Sequence, residues 1–305
     1  MKRWTASIWI AFILSSIGIS LIIAFAFNKS FNDGSGIIDP SLASNYGDFI
    51  AGVVGPILSL AGFLLIYETI SVQRKSFQIQ QFETKFFDLL RFHRDNVQQM
   101  VHRVPWSKED KYYNGTRVFI EIKLQFMKLF KIAKDKIDKC ELIDSKDKEK
   151  ASITISYLIL YFGVSKSARE DLLSSLSDYN STLVHEIIDE VYQIKTSYNP
   201  GVVYFGGHQV RLGHYFRHMF LTVKFVDSTK FLSQKNKYKY VKILRTQLSQ
   251  YELGIFLINS LSIGKKWEER GFITKYKLVK NLPSNFIKGV NPKTYYNGFR
   301  YEWDK

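Results

Sequence analysis

A chain of 305 residues, 46% of them apolar and only one of them cysteine (Cys140), can bury a sizeable core but cannot build an internal disulfide framework, which agrees with a reducing compartment. Its charge is split, because residues 1–70 hold three Lys and Arg against four Asp and Glu, a net −1, while the remainder holds 40 against 24, a net +16. Such a surplus favours contact with nucleic acid or anionic lipid head groups, although a lysine-rich solvated surface has the same composition.

Trp4 to Phe27 runs for 24 residues without a charge, enough to cross a ~30 Å hydrocarbon core at ~1.5 Å per residue. Lys2, Arg3 and Ala24-Phe25-Ala26 also fit a cleaved signal peptide, but the apolar region of such a peptide is usually only ~7–15 residues long. Phe49 to Tyr67 adds 19 uncharged residues between Asp48 and Glu68, and it too can span. Within it Ala51, Gly55 and Ser59 recur at i, i+4 and i+8, a small-residue face for close helix packing in lipid, and Pro56 predicts a kink. Lys2 and Arg3 before the first span, and Arg74 and Lys75 after the second, place both termini in the cytoplasm of a multi-pass inner-membrane protein. The expected organisation is a hairpin over 1–72 (spans about 4–27 and 49–70, external loop 28–48), a basic helical domain over 73–282 and an irregular tail over 283–305.

Between Gly62 and Pro105 no Gly or Pro interrupts the chain, and Ile79, Phe82, Phe86, Leu89, Leu90 and Val97 keep helical spacing with His93 on the same face. The second span is therefore expected to continue as one long helix. Pro105 to Gly115 reads as a loop, Thr116 to Lys139 as a helix, and Asp144 to Lys150 as a polar break before an apolar helix over Ser152 to Val164. Helices follow over Ser167 to Leu176 and over Ser181 to Lys195, the second with Ser181 as its cap. Asn199-Pro200-Gly201 and Gly206-Gly207 break the pattern, and helices resume over His208 to Ser233 and Lys237 to Ser262. No segment alternates with period two. The expected fold is mainly α, with a two-helix transmembrane hairpin followed by an all-α, bundle-like cytoplasmic domain.

Three of the chain's six histidines fall in His208-Gln209-Val210-Arg211-Leu212-Gly213-His214-Tyr215-Phe216-Arg217-His218. On a helix Arg211, His214 and His218 share a face, with Arg217 beside them, and these four are the candidate catalytic residues. His214 and His218 have the i, i+4 spacing of two metal ligands, but the acidic partner of HExxH is missing and Arg211 and Arg217 oppose a cation, so neither metal nor cofactor is expected. Arg211 and His218, separated by six residues, match a metal-independent ribonuclease pattern in which arginine steadies phosphate charge and histidine moves protons. A hydrogen-bonded polar patch at a helix junction explains the same residues. Farther on, Arg245, Ser249, Glu252 and Asn259 form a polar stripe on the next helix; Arg245, Glu252 and Asn259 are candidate binding residues, with Glu252 placed to pair with Arg211 or Arg217, and a solvated face explains the same residues.

Several stretches taken in order resemble one family. They are Tyr46-Gly47-Asp48-Phe49-Ile50-Ala51-Gly52, Gly55-Pro56, Gln73-Arg74-Lys75, Phe82-Glu83-Thr84-Lys85-Phe86-Phe87-Asp88-Leu89-Leu90, Gly115-Thr116-Arg117, His214-Tyr215-Phe216-Arg217-His218, and Tyr240 to Glu252. Together they are similar to the phage abortive infection proteins of the AbiC type, over residues from about 45 to 282. The resemblance implies a bacterial antiviral role in which an infected cell stops growing or dies before phage spread; it carries no assigned catalytic residues. The expected protein is a membrane-anchored anti-phage effector or sensor, acting through membrane lipid and homo-oligomers. The alternative is a membrane-tethered ribonuclease or nucleic-acid-binding domain built on residues 208–218.

Overall fold

Uncharged runs near the N-terminus and long stretches free of Gly and Pro fold as helices, and the computed structural model is 74% helix. It describes residues 6–27, 40–103, 111–141, 143–197 and 204–304. Lys2, Arg3, residues 28–39 of the expected external loop, Pro105 and Asn199-Pro200-Gly201 lie outside the described residues. The chain divides into two compact units, Met1–Lys85 and Phe86–Lys305.

The first unit contains α1 (Ala6–Ala26), α2 (Pro40–Phe49), a π turn (Ile50–Val54) and the start of α3 (Gly55–Gln98). The π turn is the response to Pro56: proline offers no N–H, and its ring crowds the preceding turn, so the ladder widens and Gly55 N–H bonds to the Ile50 carbonyl. The expected distortion is thus observed as a wider turn. Two helical segments, Ala6–Ala24 and Ser44–Gln98, contain stretches long and apolar enough to cross a membrane. Their outward side chains include Phe12, Ile13, Phe63 and Ile66, all exposed. Within this unit α1 meets the second apolar helix where Gly18 faces Leu58 and Val54, and Ala11, Val54 and Ala61 are buried. Ala51 and Ser59 are exposed, so the small-residue face lies outside that contact.

The second unit holds the last turns of α3, the strands β1 (Val101–Arg103) and β2 (Tyr112–Asn114), and then α4 (Arg117–Asp138) and α5 (Lys148–Phe162). It continues with α6 (Arg169–Ser175), α7 (Ser181–Thr196), α8 (Gln209–Ser228), α9 (Gln234–Gln247) and α10 (Gln250–Leu261). Three short helices follow: α11 (Lys265–Glu269), α12 (Phe272–Tyr276) and α13 (Pro292–Tyr295). The core is the packing of α4 on α5, with α10 against both. α4 lays down Val118, Ile122, Phe126, Leu129, Ala133 and Ile137 along one buried stripe, whereas α5 and α10 are buried on nearly every side, as central helices must be when apolar all round. Each fully buried side chain of this kind stabilises by roughly 1.5–3 kcal/mol.

Several boundaries differ from expectation, each for a local reason. The all-helical domain includes a two-stranded antiparallel sheet, in which His102 pairs with Tyr113, so Tyr112–Asn114 is strand where a loop was expected. α5 starts at Lys148, because charge alone does not stop a helix when no Gly or Pro intervenes. Asn180, and not Ser181, caps α7, its side chain accepting from Leu183 N–H. The expected helix Lys237 to Ser262 is two helices, because Ser249 and Glu252 close a reciprocal capping box that begins α10. After Leu282 the chain is mostly irregular but packed, with Tyr296 and Tyr301 buried and Trp303 Nε1–H bonded to the Leu282 carbonyl.

Candidate functional site

α8 carries the site. Leu212, Tyr215, Phe216, Met219 and Val223 recur at helical spacing and are all buried, which turns Arg211, His214 and Arg217 away from the core. These three line a groove of about 870 Å³ together with Tyr161 at the end of α5, Asn96 and Gln99 at the end of α3, and Gln209. No carboxylate is among its described lining residues. Arg211 is held by its Nε–H, which donates to the Val101 carbonyl at 3.1 Å, and Arg217 Nε–H donates to the Gly213 carbonyl at 3.0 Å. Gly213 lets Tyr161 approach, since a Cβ there would sit 2.7 Å from the Tyr161 hydroxyl oxygen.

His218 has a different place. It stacks on His93 with ring centroids 5.9 Å apart, its Nδ1 is buried, and it is not among the described residues lining the groove. His93 is 3% exposed, and burial, helped by His218, pushes its pKa down to about 4. Both His93 ring nitrogens lack a hydrogen-bond partner among the described residues.

Beneath Arg211 lies a buried polar network that no sequence motif marks. His208 Nε2–H donates to Gln125 Oε1 at 3.1 Å, Gln125 Nε2 donates to Glu121 Oε1 at 3.0 Å, and the same nitrogen lies 3.4 Å from His102 Nε2. Burial, with the Arg211 charge behind it, pushes the His102 pKa down to about 4; burial, His102 and Arg211 lower that of His208. Burial raises the Glu121 pKa against the opposing pull of Gln125 and Lys128. The clue was present in α4, where Glu121 and Gln125 sit four apart on an apolar stripe and so require buried partners. Five of the six histidines, His93, His102, His208, His214 and His218, belong to α8 or to the residues packed around it. Among the described residues no three His, Cys, Asp or Glu side chains gather as metal ligands.

His208 is placed by backbone chemistry. Its N–H bonds the Leu160 and Tyr161 carbonyls at the end of α5, and Val164 N–H bonds the Phe205 carbonyl. Gly163 (φ +83°) and Gly207 (φ +91°) meet backbone to backbone there; a Cβ on Gly163 would lie 2.5 Å from the Gly206 carbonyl carbon. The Gly206-Gly207 pair thus serves close packing.

Arg245 and Glu252 line neither this groove nor the cavity beside it, whereas Asn259 lies outside the groove on an adjoining cavity that includes Arg217. Arg245 donates to the Lys277 carbonyl at 2.9 Å beyond α12. Glu252, expected to meet Arg211 or Arg217, instead accepts from Ser249 N–H at 2.8 Å and from the Tyr215 hydroxyl at 3.0 Å. The break at Ser249 changes the helical phase, so residues on either side of it cannot share one stripe. Asn259 donates to the buried Tyr157 hydroxyl at 2.7 Å.

Residues 207–287, which contain α8 through α12, match a family model described as "Putative phage abortive infection protein". It is the family to which the ordered motifs pointed, and the match includes His214-Tyr215-Phe216-Arg217-His218 and Tyr240 to Glu252. Searches of curated proteins and of solved structures gave no match to the chain. Of the groove's side chains, Arg211, His214 and Arg217 lie within the matched residues, whereas Tyr161, Asn96 and Gln99 precede them.

Proposed function

We propose that this protein is a phage-defence effector or sensor, anchored in the bacterial inner membrane through α1 and the apolar part of α3, whose basic domain binds a phosphate-bearing anion in the α8 groove. The observation that carries this is the lining itself: two arginines, a histidine, a tyrosine and three side-chain amides, with no carboxylate among the described residues. Guanidinium groups beside neutral donors suit phosphate oxygens, and a pairing carboxylate would compete for them. The abortive-infection match supports the defence role, and the two apolar helices support the anchor. A nuclease acting through Arg211 and His218 would need both at one phosphate; the stacking of His218 on His93 favours binding over cleavage.

Phage plating on strains carrying the double substitution Arg211→Gln and Arg217→Gln tests the groove. Protection should be lost while protein level and recovery in the membrane fraction stay unchanged; full protection would sink the binding role. Assembly in the bilayer is proposed to use Ala51, Gly55 and Ser59 between copies. Dye entry into cells expressing Gly55→Leu should fall relative to wild type, and undiminished toxicity would remove the membrane mechanism.

A further inference from the structure

A second cavity, of about 380 Å³, adjoins the groove and shares Tyr161, Gly213 and Arg217 with it. Its character is different. Phe220 and Trp267 form aromatic walls, held edge to face with centroids 5.0 Å apart at 88°, and Trp267 is braced behind by Phe256 at 4.9 Å. Leu221 and Ile263 stand at the cavity with their side chains exposed, 56% and 42%. Among them lies the Asn259 amide. The Asn259 amide nitrogen is committed to the Tyr157 hydroxyl, and its oxygen faces Gly264, where a Cβ would come within 2.6 Å of it. The absent side chain at Gly264 therefore leaves that acceptor room.

A cationic groove joined to an aromatic cavity with one oriented amide is a bipartite surface. From this we infer that the two cavities together bind a nucleotide, with phosphate over Arg211, His214 and Arg217 and the base against Phe220 and Trp267. This rests on the anion-binding role of the groove and names its ligand class. Base stacking on aromatic rings does not depend on which base is present, whereas an amide acceptor favours a base with an exocyclic amine. A phospholipid would also bring a phosphate, but its acyl chains need an uninterrupted apolar channel. Here Asn259 and Lys266 interrupt the wall.

The test uses full-length protein in detergent, titrated by calorimetry with the four common nucleoside monophosphates, ribose 5-phosphate, inorganic phosphate and vesicles containing anionic phospholipid. At least one monophosphate should bind tenfold or more tightly than ribose 5-phosphate, and Phe220→Leu, which keeps apolar volume and removes the ring, should abolish that preference. Equal binding of all the soluble phosphates would overturn the nucleotide assignment and leave the anion-binding groove standing. No binding of any phosphate, inorganic phosphate included, would overturn both. Binding to the vesicles alone would overturn the assignment in favour of a lipid head group.

Discussion

His93 couples the stability of the helical domain to pH. Its pKa is pushed down to about 4 in the fold, first by burial and then by His218, while the unfolded chain takes up the proton near 6.5. Between those values the unfolded state binds more protons, so stability is complete above pH 6.5 and falls as pH drops towards 4. The lost stability is on the order of 3 kcal/mol for this residue. His102 acts in the same direction over the same window. Urea unfolding at pH 7 and pH 4.5 should show the drop, and His93→Phe should flatten it; an unchanged slope would mean that His93 is not held neutral. Arg217 is the opposite case. It is exposed and bonded to a backbone carbonyl, and Glu252 has its own partners, so Arg217→Ala should change stability by no more than ~0.5 kcal/mol. Phage protection, measured with protein level, should nevertheless fall. A large stability loss would show that Arg217 holds the fold together.

At the scale of elements, the junction between α5 and α8 sets the site. Gly207→Ala would force a φ of +91° on alanine and bring its Cβ 2.6 Å from the Phe162 carbonyl carbon. A destabilisation of about 3 kcal/mol or more is expected. Because the same turn places His208 and the end of α5, thermal melting and ligand binding should decline together. The start of α10 offers a milder test: Ser249→Ala removes the capping-box acceptor and should lower the melting stability by about 1 kcal/mol. Loss of nothing measurable there would mean that the Tyr215 hydrogen bond to Glu252 is enough to hold α10 in place.

For the whole molecule, a reporter fused after Lys305 should be active only in the cytoplasm, because Arg74 and Lys75 follow the second apolar stretch. A periplasmic signal would reverse the proposed orientation. The net +16 of residues 71–305 also predicts that anion binding weakens as ionic strength rises, more steeply than one buried pair would require.

Composition and periodicity were enough for the helical class, the two apolar stretches and the limits of α4 to within a residue or so, and the motif resemblance pointed to the family whose model matches residues 207–287. Each depends on short-range order in the chain: uncharged length, 3.6-residue spacing and an ordered set of motifs. Even the division of α9 from α10 was written locally, in Ser249-Gln250-Tyr251-Glu252, but the apolar residues continue in register across it and conceal the break. Which polar residues meet was another matter. Arg211, His214 and Arg217 share a helix, yet their groove needs Asn96, Gln99 and Tyr161 from far along the chain, and Gln125 reaches His208 across 83 positions. Glu252 could have met an arginine or a tyrosine by its chemistry alone. Only the packing of α8 against α10, with Tyr215 turned inward, gave the carboxylate its partner and left both arginines facing the groove.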